Sequence, residues 1–417
     1  MREERTEVLV VGAGPVGLLT AILLAEGGVE TRIVDREERT TVRSYACALH
    51  PRTLKLLERM GLAAAVLERG RRIEKIAFYD GPSRRAEVNM GELGGPFPFM
   101  LILPQNVFED TLEQRLRQAG VLVNWNHRFS ELRAEGETVV ATVEELGATA
   151  GGYIVPHWET VVKRTLPVRA QFLVGADGYG SLVRERLGIE STRVAGPEFF
   201  AAYEFEPDAK VEDEVRVVLE PGTTNVLWPL PGNRCRWTFQ LVKSEMMSEF
   251  PEKERREGRV AQATVDERIR QYVEKVAKAR APWFSAGVRE LTWCTEVVFE
   301  HRVAQRFGQD RCWLAGDAAH QTGPVGVQSM NVGMAEAASL TGALRQTLRE
   351  KAPLSLLEAC NRDWQAEWRR LLGLTGGLKT RKETSPWVRD RRGRILPCLP
   401  ASHEDLGSLA GQLGLDV

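Results

Sequence analysis

Three glycines near the start of the chain have the spacing of a phosphate-binding turn. Gly12, Gly14 and Gly17 follow a short β-branched strand and open an apolar helix, and Asp35 ends the next strand. The first glycine permits a tight turn, the second lets backbone approach a pyrophosphate, and the third lets helix and strand pack closely. The helix N-terminus favours anions, and a carboxylate such as that of Asp35 accepts hydrogen bonds from ribose hydroxyls. The pattern predicts a dinucleotide site, without separating FAD from NAD; the alternative is a chance glycine-rich turn.

A second set of candidate residues lies late in the chain. Gly316 and Asp317 follow a strand, and the loop 323–327 then runs into a helix that begins near Ser329–Asn331. This arrangement offers a carboxylate to a polyol hydroxyl and backbone N–H donors to an anionic ring. A ribityl chain and a flavin ring require that pair, so the pattern favours FAD. The alternative is a structural turn before a buried helix.

A third motif lies between these two. Gly175, Asp177 and Gly178 end another strand and precede a helix that carries Ser181 and Arg184. An aspartate is thus again placed at a strand end before a helix, as in the other two motifs.

In this order and spacing, the three motifs resemble those of the class A flavoprotein monooxygenases, the para-hydroxybenzoate hydroxylase-like family. The resemblance covers about residues 6–345 and also includes the segments 49–54 and 104–105. It implies that Pro324, Gly326, Met330 and Asn331 lie along the isoalloxazine ring. The full set of residues that it implies for FAD is Gly12, Gly14, Gly17, Asp35, Arg43, Gln105, Asp177, Gly178, Gly316, Asp317, Pro324, Gly326, Met330 and Asn331.

The same resemblance implies a reaction. Because the chain has no second GxGxxG motif, NAD(P)H is expected to bind transiently near Asp177 and Arg184. It would reduce the flavin, O2 would add at the flavin C4a position, and the hydroperoxide would hydroxylate or epoxidise a small aromatic or polyketide-like substrate. No metal ion and no protein nucleophile is required. Pro324 and Val327 are expected to line the site of oxygenation.

Two departures from the family pattern bear on the flavin. Tyr45-Ala46 stands where the family commonly has Arg-Ala, with Arg43 two residues earlier as the remaining candidate for the FAD phosphate or flavin. In the loop beside the ring, Val327 and Ser329 replace residues of the usual glycine-rich pattern. Both are expected to reduce the space and the backbone freedom beside the flavin.

Candidate substrate residues lie in the strand-like region in the middle of the chain. Side chains alternate between the two faces of a strand, so either Arg236 with Thr238 or Trp237 with Phe239 faces the flavin. Trp228 lies on the preceding strand. For each of these five residues the competing interpretation is ordinary sheet core.

The elements that position these residues predict an α/β fold. It consists of a Rossmann-like FAD-binding domain, an inserted antiparallel-sheet substrate domain and a C-terminal helical segment. Residues 245–278 carry many charges and predict a solvated surface helix region. The expected division is 1–75, 103–188 and 293–350 for the FAD-binding domain, 76–102 and 189–292 for the substrate-binding domain, and 351–417 for the C-terminal helical segment and tail.

Composition excludes several other classes of protein. The 417 residues include 43% hydrophobic and 27% charged residues with a formal net charge of −1, which is typical of a globular protein and gives no basis for nucleic-acid binding. The six cysteines are scattered without metal-ligand spacing, as expected for free thiols in the cytoplasm. The uncharged stretch 8–25 is interrupted by glycine and proline, so neither a transmembrane segment nor a signal peptide is expected.

Other functions share the expected fold. A halogenase is disfavoured because the chain lacks a GxWxWxIP motif. An FAD-dependent reductase or cyclase would keep the cofactor without inserting oxygen. A catalytically inactive FAD-binding partner protein is a further alternative, given the altered loop at Val327. The chain is expected to stop soon after its C-terminal helices, as in family members that lack a thioredoxin-like domain.

Overall fold

The computed structural model describes residues 3–41, 46–151, 157–242 and 262–417. Arg43 and Tyr45, which the sequence singled out, therefore lie outside the described residues, as does part of the charged region 245–278. The helices are α1 (Pro15–Glu26), α2 (Pro51–Arg59), α3 (Ala63–Arg69), α4 (Gln105–Gln118), α5 (Leu182–Arg186), α6 (Gln262–Arg280), α7 (Gln328–Glu350), α8 (Ser355–Leu371), α9 (Pro386–Ile395) and α10 (His403–Gln412), with short 3-10 turns at Met90–Glu92, Gly316–Ala318 and Leu396–Cys398.

The strands alternate with these helices in the first part of the chain and dominate its middle. They are β1 (Glu4–Val11), β2 (Thr31–Val34), β3 (Ala48–Leu49), β4 (Arg71–Ile73), β5 (Lys75–Asp80), β6 (Ser83–Asn89), β7 (Met100–Ile102), β8 (Val123–Asn124), β9 (His127–Glu135), β10 (Thr138–Gly151), β11 (His157–Gly175), β12 (Ser191–Arg193), β13 (Glu198–Pro207), β14 (Glu214–Glu220), β15 (Thr223–Leu230), β16 (Arg234–Leu241), β17 (Val288–Phe299), β18 (Arg302–Ala304), β19 (Gly308–Gln309), β20 (Cys312–Leu314), β21 (His320–Gln321), β22 (Lys379–Thr380) and β23 (Leu415–Asp416).

The first large sheet carries all three motifs at the ends of its parallel strands. Its order is β19-β20-β11-β1-β2-β8, and β1 pairs in parallel with both β2 and β11, with Val8 opposite Phe172. Strands β9 and β10 extend it as an antiparallel meander beside β11. Val8 to Val10 are fully buried because helices α1, α4 and α7 cover one face and further core packs on the other. The carboxyl ends of β1, β2, β11 and β20 therefore meet at one edge.

The second large sheet has the order β17-β13-β16-β15-β14-β5-β6. Its pairs are antiparallel except β14 with β5, which run parallel with Glu214 opposite Lys75. The prediction of a purely antiparallel sheet was wrong at this pair, because β5 and β14 are joined by a long crossover rather than a hairpin. Strand β7, also expected in this sheet, pairs instead with β3 and β4 in a small separate sheet.

Helix α6 covers the outer face of this second sheet. Ile269, Val273 and Ala277 of α6 are buried against it. The predicted surface helix is thus helical in its described part, but its apolar side packs on the sheet instead of facing solvent. A helix with one buried apolar stripe and one charged face satisfies both observations.

The C-terminal segment lies against both the second sheet and the loop after Asp317. Trp387 Nε1 donates to Asp80 Oδ2 at 2.9 Å, and Gln412 Nε2 donates to the Asn89 carbonyl at 2.9 Å. The predicted α/β fold with its second, sheet-based unit and helical C-terminal segment is confirmed, while the residue boundaries of the domains stay a prediction. Among the described residues, no helix is both long enough and apolar enough to cross a bilayer.

Candidate cofactor and substrate site

The turn at Gly12 leaves no room for a side chain. Gly12 has φ +104°, and a Cβ there would lie 2.2 Å from the Ala176 carbonyl oxygen. A Cβ on Gly17 would lie 1.9 Å from the Gly12 oxygen, whereas one on Gly14 would meet nothing within 4 Å. Packing within the protein thus requires glycine at positions 12 and 17, whereas Gly14 faces open space at the N-terminus of α1. This open cradle fits a pyrophosphate.

Asp35 is fastened to the same turn. Its Oδ2 accepts a hydrogen bond from the Ala13 amide at 2.6 Å and its Oδ1 accepts one from the Glu37 amide at 2.8 Å. These bonds orient a half-buried carboxylate at the end of β2, where it could accept from ribose hydroxyls.

Gln105 lies on the first turn of α4 and connects this helix to the segment at Ala46. Its Oε1 accepts from the Ala46 amide at 2.9 Å, and its Nε2 donates to Glu109 Oε1 at 2.8 Å. Glu109 also accepts from the Thr41 amide at 2.9 Å. Burial of this carboxylate, which is 2% exposed, raises the pKa of Glu109 to about 7. No sequence signal marked Glu109, because its neighbours come from distant segments.

Asp177 stabilises the start of α5, and Arg184 connects that helix to the turn at Gly316–Ala318. Asp177 accepts from Ser181 Oγ at 2.6 Å and from the Val183 amide at 3.1 Å, so it caps α5, and burial raises the pKa of its carboxyl. Arg184 donates to the Ala318 carbonyl at 2.7 Å. Arg184 also lines a shallow groove with Ser181. Both residues predicted to assist NAD(P)H are therefore engaged within the protein.

Asp317 lies on the 3-10 turn that follows β20. Its side chain is exposed and accepts a hydrogen bond from the hydroxyl of Ser329. A Cβ on Gly316 would lie 3.0 Å from Val16, so α1 and this turn are in close contact. An open carboxylate beside the N-termini of α1 and α7 fits the polyol chain that the sequence predicted there.

A buried carboxylate supports this turn from below. Glu336 of α7 accepts from the Gly316 amide at 3.3 Å, from His320 Nε2 at 2.8 Å and from Trp368 Nε1 at 3.0 Å. The His320 ring stacks on Trp368 with 3.6 Å between centroids. His320 is thus structural here, with Glu336 and Trp368 as its partners.

Two side chains, those of His50 and Asn331, hold the loop at Gly326 and Val327. His50 Nε2 donates to the Gly326 carbonyl at 2.8 Å, and burial lowers the pKa of His50 to about 4. Asn331 Nδ2 donates to the Val327 carbonyl at 2.8 Å and to the Ala48 carbonyl at 2.9 Å. Asn331 is 3% exposed and its Oδ1 also accepts from the His50 amide. Its side chain therefore positions the loop, and the position of Asn331 along the isoalloxazine ring stays a prediction.

Val327 has a left-handed backbone, with φ +50° and ψ +36°. Such a conformation is strained for a β-branched residue, costs on the order of 1–3 kcal/mol, and persists only where neighbours impose it. The sequence had already marked Val327 as a departure from a glycine-rich loop.

A cavity separates this loop from the inner face of the second sheet. Its loop side is formed by Pro324, Val327 and Cys47. Its sheet side is formed by Phe200, Ala202, Trp228, Arg236, Thr238, Trp293, Thr295, Val297 and Phe299. Of the substrate candidates, Trp228, Arg236 and Thr238 thus meet at one site with the two predicted loop residues.

Trp237 and Phe239 lie on the opposite face of the same strand. Their rings stack at 5.0 Å, and Trp237 packs edge-on against Phe284 beneath α6. They belong to the sheet core, since alternation along β16 turns them away from the cavity.

Arg236 belongs to a row of side chains that crosses four strands. Trp228 lies opposite Arg236, which lies opposite Glu204, which lies opposite Trp293. Arg236 Nε donates to Glu204 Oε1 at 2.9 Å, and a second guanidinium nitrogen also bonds this oxygen. The guanidinium lies 5.4 Å from the Trp293 ring centroid. Arg236 and Glu204 are 3% and 6% exposed, so the guanidinium that lines the cavity is buried together with its partner carboxylate.

Residues 5–372 match the family model described as "FAD binding domain". The chain belongs to this family. Its FAD-binding domain places the Gly12–Gly17 turn, Asp35 and Asp317 at one sheet edge, where they fit the phosphates, a ribose and the ribityl chain of FAD. The predicted resemblance to class A flavoproteins and the prediction of FAD as cofactor are confirmed.

Curated relatives of this FAD-binding domain carry monooxygenase names. The chain is 31% identical to 6-methylpretetramide 4-monooxygenase of Streptomyces rimosus, over 84% of this chain and 58% of that protein. It is 27% identical to pentachlorophenol 4-monooxygenase of Sphingobium chlorophenolicum, over 84% of this chain and 60% of that protein. The chain thus spans about three fifths of the length of these relatives.

A solved structure shows the same fold along the whole chain. The crystal structure of p-nitrophenol 4-monooxygenase from Pseudomonas putida has a TM-score of 0.73 at 22% identity and covers 99% of both chains.

Proposed function

We propose that this protein is an FAD-dependent monooxygenase that uses NAD(P)H and O2 to hydroxylate a small aromatic, natural-product-like substrate. The observation that carries the proposal is the cavity between Val327 and the Arg236 side chain. Val327 lies directly before α7, in the loop that is proposed to lie beside the flavin ring. Bound FAD supplies the electron transfer and oxygen activation. The monooxygenase names of the relatives support the same reaction class.

In this proposal the sheet binds and orients the substrate. Arg236 offers guanidinium donors to a phenolic or carbonyl oxygen, and Glu204 holds that guanidinium in place. Trp228 and Trp293 flank it with flat apolar surfaces that suit an aromatic ring. The Thr238 and Thr295 hydroxyls add two polar groups, so one edge of the ligand would be bound by polar contacts and the rest by apolar ones.

The apolar lining excludes water from the reaction. Phe200 and Phe299 contact each other edge to face at 5.8 Å and close one end of the cavity, and Val297 lies beside them. A dry site strengthens each electrostatic contact and prevents side reactions of reactive oxygen species.

NAD(P)H is proposed to bind transiently at the groove that Arg184 and Ser181 line. Arg184 would have to exchange its bond to the Ala318 carbonyl for a bond to the dinucleotide. O2 is the proposed second co-substrate. The proposal also places the protein in the cytoplasm, where its six free cysteines would stay reduced.

The deciding experiment measures flavin reduction and O2 uptake together. Protein reconstituted with FAD is mixed with NADPH or NADH and with p-nitrophenol, pentachlorophenol or anhydrotetracycline. We expect one of these compounds to accelerate both flavin bleaching and O2 uptake and to yield an oxygenated product. Arg236→Met should abolish this stimulation, whereas Arg128→Met, a change on the exposed β9 strand, should not.

Two outcomes would replace the proposal by another function. Substrate conversion with no O2 uptake would indicate an FAD-dependent reductase or cyclase. FAD binding with no stimulation by any aromatic compound would indicate an inactive FAD-binding partner protein, and a protein that cannot be loaded with FAD would refute both.

A further inference from the structure

The side chain of Val327 forms part of the cavity wall in a conformation that its own chemistry disfavours. Val327 has φ +50°, is 7% exposed, and lines the cavity beside Pro324. Glycine or asparagine adopts this backbone far more readily than a β-branched residue. The conformation is therefore imposed by the surroundings of the loop.

Those surroundings come largely from the C-terminal segment. Gln328 Nε2 donates to the Leu399 carbonyl at 3.0 Å and to the Leu396 carbonyl at 3.3 Å. A Cβ on Gly326 would lie 2.3 Å from the Pro397 carbonyl oxygen, so the two backbones are in direct contact. Residues on both sides of Val327 are thus held by the same four-residue stretch.

The C-terminal segment is in turn fastened to the second sheet. Arg394 of α9 donates to the Glu220 carbonyl at 2.6 Å and to Thr224 Oγ1 at 3.0 Å. Arg391 contacts Asp80 Oδ2 at 3.1 Å. Helix α9 therefore connects the loop wall of the cavity to its sheet wall and fixes the gap between them.

The enclosed space is small for a ligand site. The cavity volume is about 20 Å³, far below the roughly 300–1,000 Å³ typical of small-molecule sites, so any ligand must displace part of the lining and larger ligands must displace more of it. Among the described residues, only Val327, Pro324 and Cys47 line the loop side of the cavity. Removing the isopropyl group of Val327 would therefore extend the cavity on that side.

We propose that Val327 is a specificity-determining residue that narrows the cavity and so favours compact aromatic substrates over larger ones. The inference rests on the proposed function, because it assumes that the cavity is the substrate site. It narrows the substrate class from any aromatic or polyketide-like compound to a small phenol.

The test measures ligand binding by calorimetry on the FAD-loaded full chain, without turnover. The probes are p-nitrophenol, 1-naphthol and anhydrotetracycline. The wild-type protein should bind the two small phenols and discriminate against anhydrotetracycline. Val327→Gly should reduce that discrimination by about tenfold or more, since one or two methylene-sized groups in a pocket change selectivity by roughly 10–200-fold.

Matched variants distinguish the effect of the Val327 side chain on the cavity from an effect of a less rigid loop. Val327→Thr keeps the shape of the side chain and should keep the discrimination. Val325→Ala shortens a buried valine of the same loop that is not part of the cavity lining, and it should also keep the discrimination. If Val327→Gly does not fold, Val327→Ala serves in its place, with a smaller expected change.

Three results would overturn the inference. They are wild-type protein that binds anhydrotetracycline as tightly as p-nitrophenol, a binding ratio that Val327→Gly leaves unchanged, and a panel in which no compound binds either protein. Size discrimination without any oxygenated product would instead leave this inference standing and refute the proposed function.

Discussion

His50 Nε2 donates a hydrogen bond to the Gly326 carbonyl at 2.8 Å, across 276 positions of sequence. A carbonyl oxygen can only accept, so the Nε2 atom carries the proton in the neutral ring. Burial lowers the pKa of His50 to about 4 from 6.5. The start of α2 and the loop 323–327 are therefore joined through an imidazole that the fold keeps uncharged.

This neutral imidazole predicts acid sensitivity. The unfolded chain protonates His50 near pH 6.5 and the folded chain near pH 4, so stability from this group is present above pH 6.5 and is lost as the pH falls towards 4. The loss amounts to about 3 kcal/mol over the window. Urea unfolding of wild type and His50→Gln at several pH values measures it. Equal slopes for the two proteins would contradict the prediction.

Glu109 predicts the opposite dependence. Its folded pKa of about 7 exceeds the unfolded value of 4.5, so the folded state binds the extra proton and stability falls as the pH rises through this window. The expected difference between wild type and Glu109→Gln is about 3 kcal/mol across the window. Glu113→Gln, one helical turn along α4, is the control because its carboxylate pairs with a mostly exposed Arg117. A wild-type slope that Glu109→Gln does not alter would exclude this role.

Alanine substitutions can separate the packing role of Gly17 from the proposed cofactor-binding role of Gly14. Gly17→Ala should lower the stability of the FAD-free protein by about 1–3 kcal/mol, because its Cβ would overlap the Gly12 carbonyl. Gly14→Ala has free space and should change that stability by less than about 0.5 kcal/mol, yet weaken FAD binding by about tenfold or more. Urea unfolding and FAD titration measure the two effects. Unaltered FAD affinity in Gly14→Ala would show that the cradle does not face the pyrophosphate.

Breaking the buried pair should cost more than removing it. Glu204→Gln leaves the Arg236 charge without its carboxylate and should cost about 3–5 kcal/mol, whereas the double variant Glu204→Gln with Arg236→Met should recover part of that loss. Glu144→Gln, which breaks an exposed pair with Arg128, should cost less than about 1 kcal/mol. A double variant less stable than Glu204→Gln would contradict this account.

The glycine turn and Asp35, which we propose bind FAD, could be predicted from the sequence because their signals are local. Gly12, Gly17 and Asp35 lie within one βαβ unit, where turn geometry and strand ends are set by neighbouring residues. The sequence did not predict that the Asn331 amide holds the loop, because its Nδ2 donates to backbone carbonyls.

The residues of the sheet wall of the cavity could not be predicted from the sequence in the same way. Alternation left two options for β16, and the choice of Arg236 over Trp237 depends on which face α6 covers. Glu204 and Trp293 join the cavity row through register between strands far apart in sequence. The Gln328 contacts end on backbone carbonyls of residues 396 and 399, which leave no residue-type signature.

The hydrogen bonds from Gln328 to the carbonyls of Leu396 and Leu399 also set the order in which the site is completed during synthesis. The Gly12–Gly17 turn is made first, and the partner strand β11 follows within the first half of the chain. Leu396 and Leu399, which hold Gln328, emerge several seconds after Gln328 itself at about 5–20 residues per second. A nascent chain that has not reached residue 396 thus carries the phosphate-binding turn while the wall at Val327 still lacks its support.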